Sequence, residues 1–147
     1  METDEPISQP TVPRWTITFL NVVGWSTVTA FLAAVMPDHW IQFSTTQFGF
    51  EAFPQHPVAE YLARQVSLFY GIGGVWILYL AMDLRQRYAL LLPTAMGVLL
   101  LGIGTGIVDT MAEMPIWWTL PESLSTIIGA GFLWYVHHAV ATATKQA

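Results

Sequence analysis

From Trp15 to Met36 the chain runs 22 residues without a charged side chain, and three further runs of comparable length follow it. At 1.5 Å per residue a helix of that length covers a hydrocarbon core of roughly 30 Å. The remaining runs extend over 58–82, 88–111 and 121–143, with Arg64 tolerated inside the second. Runs longer than 18 residues indicate helices, because a barrel strand alternates lipid-facing and lumen-facing residues over about ten residues. The expectation is an all-α membrane protein: an antiparallel bundle of four transmembrane helices.

Composition agrees with this. With 54% hydrophobic and only 10% charged residues, 147 residues cannot bury their apolar surface in one soluble core. There is no cysteine, which excludes disulfides, thiol nucleophiles and thiolate metal sites. The net charge is −5, and no basic cluster exists to hold nucleic acid.

Residues 1–13 hold three acids and three prolines, lack the positive and apolar regions of a signal peptide, and read as a disordered acidic leader. Residues 14–147 read as a single four-helix domain. The connection from Asp38 to Pro57 is rich in Phe, Trp and Pro and suits the headgroup level, with at most one helical turn near Glu51. Pro121 reads as a first-turn residue of the last helix. Arg14, Arg85, Arg87 and Lys145 fall on the leader, the second connection and the tail. The positive-inside rule therefore places both termini in the cytoplasm and the other two connections outside, which suits a bacterial inner membrane.

Polar residues inside or beside the spans carry the functional question. The stretch D-T-M-A-E-M-P-I-W-W-T-L-P-E, from Asp109 to Glu122, holds three carboxylates between two apolar runs. Carboxylates there are costly unless paired, and Arg64 is the one cation inside an apolar run. The expected arrangement is a buried ion cluster of Arg64, Asp109 and Glu122. It would either clamp three helices or serve proton relay or substrate binding. Below those charges lie three pairs at helical spacing, Ser67 with Gly71, Gly102 with Gly106, and Ser125 with Gly129. Each is a small-xxx-small pair that lets helix backbones approach closely.

Other side chains support weaker expectations. Trp40, Trp117 and Trp118, with His39 and Glu113, form either an aromatic belt or a candidate cleft for a lipid, quinone or other hydrophobic ligand. His137 and His138 are adjacent, point about 100° apart and cannot both ligate one haem iron, so haem is not expected. His39, His56, Asp38 and Glu113 lack a diagnostic metal spacing, and no metal site is assigned. Hydrolase, zincin, P-loop and dinucleotide fingerprints are missing, and no catalytic residue is named.

M-P-I-W-W-T-L-P-E, with Y-L-A-R-Q-V-S-L-F-Y-G and the short D-L-R turn, resembles small bacterial integral membrane proteins of four helices. That resemblance implies the fold and no particular activity. It is not the pattern of small multidrug transporters, whose first helix carries an embedded Glu, nor of cysteine-bearing tetraspanins and claudins. Sterol isomerases of the emopamil-binding group are similar only in helix scale and aromatic content. The functional expectation is a non-catalytic accessory or assembly subunit, meeting the bilayer and other membrane subunits or itself. Two alternatives are binding or turnover of a lipophilic small molecule, and proton-coupled transport through Asp109 or Glu122.

Overall fold

The computed structural model describes residues 13–145, and they contain six helices and no strand. The expected leader lies outside the described residues except for Pro13. The helices are α1 (Arg14–Val28), α2 (Ala30–Ala34), α3 (Asp38–Gln47), α4 (Pro57–Met82), α5 (Tyr88–Met111) and α6 (Ile116–Lys145). Four stretches are long and apolar enough to cross a membrane: Arg14–Ala34, Pro57–Met82, Tyr88–Met111 and Ile116–Thr142. Only 17% to 22% of the residues in their most apolar windows are buried. Exposed Trp25, Phe69, Leu100 and Ile128 would be untenable in water and are ordinary against lipid.

The first apolar stretch is broken at Thr29. Hydroxyls there compete for helix carbonyls: Thr27 Oγ1 donates to Val23 O, and Thr29 Oγ1 donates to Ser26 O. Such back-bonding bends helices. In the long connection, where sequence suggested at most one turn near Glu51, the chain forms the ten-residue helix α3 instead. Extended Pro37 precedes it, and Asp38 provides a carboxylate in its first turn.

The chain divides into two compact units: residues 17–82, and residues up to Thr16 together with those from Asp83 onward. In the first, α4 packs against α1 and α2. An ideal Cβ on Gly74 would lie 2.6 Å from Val28 N and 2.8 Å from Gly24 O, so these two helices touch backbone to backbone. One turn away, Gly71 leaves room for the Phe31 ring.

In the second unit α5 packs along α6. Buried Leu91, Ala95 and Gly102 form a stripe on α5, and buried Ala130, Leu133, Val136 and Val140 form one on α6. A Cβ on Gly102 would meet Thr126 and Ile127, and one on Gly106 would meet Ser123. At the other end of the pair, His137 Nδ1 donates to the Tyr88 carbonyl at 2.9 Å, and the two rings stack. Residue numbers rising along α5 thus meet numbers falling along α6.

The turn joining α5 to α6 is closed by two backbone bonds, Glu113 N–H to Thr110 O and Met114 N–H to Asp109 O. That pairing is a Schellman motif, whose left-handed position is usually glycine. Here Glu113 takes it, with φ 55°. Pro115 then accepts from the amides of Trp118 and Thr119 and starts α6 at Ile116, five residues before the expected Pro121. Pro121 and Pro93 each occupy the sixth position of their helix, leaving the carbonyls of Trp117 and Ala89 without an i+4 amide.

Candidate functional site

Arg64 sits on α4, one turn after Glu60. Its Nε donates to Glu60 Oε1 at 3.0 Å, its Nη2 to Asp38 Oδ1 at 2.7 Å and its Nη1 to the carbonyl of Ala34 at 2.9 Å. These are not the partners expected from sequence, which were Asp109 and Glu122. The reason is local. Glu60 lies at the i−4 position of the same helix, and α3 begins at Asp38 four residues after α2 ends, so both carboxylates reach the guanidinium within one unit. Its third bond takes up an orphan carbonyl at the end of α2, where a cation is favoured. One side chain therefore ties α2, α3 and α4 together. The guanidinium fork achieves this with three donors pointing in different directions.

Beside this clamp, a cavity of about 160 Å³ is lined by Asp38, Ile41, Phe53, Pro54, Gln55, His56, Pro57 and Glu60. Its polar lining is Gln55 and His56 together with Glu60 and Asp38, the last two already committed to Arg64. His56 Nδ1 accepts from the amide of Val58 at 3.2 Å. Trp40 and His39, expected to line a ligand cleft, are not among its walls. Their rings meet edge to face at 6.2 Å. The other cleft candidates belong to the second unit, where Trp117 and Trp118 meet edge to face at 6.0 Å and Glu113 occupies the tight turn.

The α5–α6 pair carries the second polar constellation. Asp109 is on the α5 stripe that continues from Gly102 and Gly106, at helical spacing. Its Oδ2 is shielded from solvent and has no hydrogen-bond partner; the same holds for Thr119 Oγ1 and Ser123 Oγ. Asp109 is a candidate visible in the sequence; the two hydroxyls are not among the residues expected there. Their i+4 spacing on α6, opposite the Gly106–Asp109 end of the stripe, was the available signal. Glu122 adjoins Ser123 in sequence, and its carbonyl accepts from Ser125 and Thr126.

The small-residue pairs divide by use. Gly102 and Gly106 receive α6, and Gly71 receives Phe31. Ser67 donates to Ala63 O within its own helix. Ser125 is exposed, and a Cβ on Gly129 would meet nothing within 4 Å. The residues of α6 that meet Gly102 and Gly106 are Ser123, Thr126 and Ile127, so the Ser125–Gly129 face points away from those two glycines. The Gly24–Gly74 crossing was not among the expected packing pairs, and its one signal in the sequence is a glycine on each of two consecutive apolar runs.

Among the described residues no three of His, Cys, Asp and Glu converge to hold a metal ion. His137 and His138 meet edge to face at 5.6 Å, with His137 Nδ1 already committed to Tyr88. No family model matches the chain, and neither a curated protein nor a solved structure matches it.

Proposed function

We propose that the chain is a small integral membrane subunit with a non-catalytic role. It packs beside a larger membrane protein, or with further copies of itself, as an antiparallel four-helix bundle in a bacterial inner membrane. Both termini are cytoplasmic in this reading, because the Arg14, Arg85, Arg87 and Lys145 positions lie on one side of the four crossings.

The observation that supports an assembly role is the open Ser125–Gly129 face of α6. Gly102 and Gly106 have the same spacing and are filled by a neighbouring helix; Ser125 and Gly129 have the same spacing and meet none. Lipid tails are as apolar as leucine, so helices associate there through close packing at small residues. A face of that kind, left clear at mid-helix, suits a helix from another chain. The ion pairs of Arg64 support the non-catalytic half of the reading: this cation is spent on holding three helices together.

Purification in mild detergent tests the proposal. The expected particle has a defined stoichiometry larger than one 16.4 kDa chain, and Gly129→Leu reduces it to a monomer of unchanged helix content. A wild-type chain that runs as an isolated monomer, with no stoichiometric partner, overturns it.

A further inference from the structure

We infer that Asp109, Thr119 and Ser123 form a binding site for one sodium ion between α5 and α6. Other hydroxyls of the pair bond to carbonyls of their own helix. Thr105 donates to the carbonyls of Leu101 and Gly102, Thr110 to Gly106, and Ser125 and Thr126 to Glu122. That is how a hydroxyl in an apolar helix is ordinarily satisfied. Thr119 and Ser123 depart from the habit. Both oxygens are buried and neither makes a hydrogen bond, although Ser123 has the Thr119 carbonyl four residues back on its own helix; the carbonyl four residues before Thr119 is that of Pro115, outside α6 and already taken by two backbone amides.

Register brings the three groups together. Ser123 lies against Gly106, its Oγ 2.9 Å from where a Cβ would stand. One turn onward along α5 is Asp109, and one turn back along α6 is Thr119. The short Schellman turn holds these two ends face to face by taking the backbone carbonyl of Asp109 with the Met114 amide. Asp109 Oδ2, Thr119 Oγ1 and Ser123 Oγ therefore share the last turn of the seam before the connection.

Three orphaned oxygens in an apolar seam carry a large desolvation penalty. A cation cancels it for all three at once, since each offers lone pairs and hard cations prefer oxygen. The site supplies one carboxylate, which matches a single positive charge. Asp109 is two residues from the end of α5 at Met111, close enough to the rim for an ion to enter from water.

The test is thermal unfolding of the purified full chain in detergent, in sodium chloride against choline chloride at equal ionic strength, with binding of radioactive sodium measured in parallel. A saturable rise in Tm with sodium, absent with choline, is expected, with one ion bound per chain. Asp109→Asn abolishes both. Thr119→Val and Ser123→Ala each weaken the apparent affinity by roughly tenfold or more, and Thr119→Ser retains it. If Asp109→Asn does not fold, the two hydroxyl variants and Thr119→Ser carry the test by themselves. Equal shifts in sodium and choline overturn the site, as does a sodium-specific shift that survives in Asp109→Asn or in both hydroxyl variants.

Discussion

Arg64 joins three helices of its unit through Glu60, Asp38 and the Ala34 carbonyl. Its ion pairs are partly exposed, with 28% of its side chain accessible, so each is worth well under the buried-pair value. The bond to the Ala34 carbonyl adds about 1 kcal/mol. Arg64→Ala should therefore cost about 1–2 kcal/mol in a denaturant titration followed by circular dichroism, and Arg64→Lys should recover less than half, because an ammonium cannot form the same fork. Glu113 offers the opposite sign. Its φ of 55° suits glycine, so Glu113→Gly should stabilise the α5–α6 turn by about 1 kcal/mol in the same titration. That Arg64 needed acids was legible in the sequence; which acids was not. Hydropathy reports how deep a residue lies and says little about its azimuth around the helix. Asp38 moreover reaches Arg64 only because an unforeseen helix, α3, begins there.

At the scale of helices, the glycines separate crossings from open faces. Gly74→Ala puts a methyl against the backbone of Val28 and Gly24, neither of which can rotate away, and should cost about 1–3 kcal/mol. Gly129→Ala meets open space and should be neutral, or gain up to about 1 kcal/mol in the isolated chain. Comparing the two Tm values checks the assignment of both faces. The apolar runs could be read directly because lipid imposes a length and a composition on any helix that crosses it. Helix ends were harder. Pro115 and Pro121 both suit a helix start, and only the turn bonds around Glu113 select Pro115. Which small residues pack inside the chain was also hidden, since Ser125–Gly129 and Gly102–Gly106 are equivalent as spacings and differ only in which face meets a neighbour.

For the whole molecule, the absence of cysteine makes every introduced thiol unique. With both ends cytoplasmic, a membrane-impermeant maleimide should label Gln47→Cys in intact cells and label Gln86→Cys only after permeabilisation; labelling in the reverse order would invert the proposed topology. The role in assembly rests on one face of α6, and cysteine cross-linking along that helix in native membranes examines it most directly. Ser125→Cys and Gly129→Cys should each give a single cross-linked species, whereas Ser123→Cys, on the seam with α5, should give none. Cross-links that appear equally around the helix, or at neither Ser125 nor Gly129, would contradict the account.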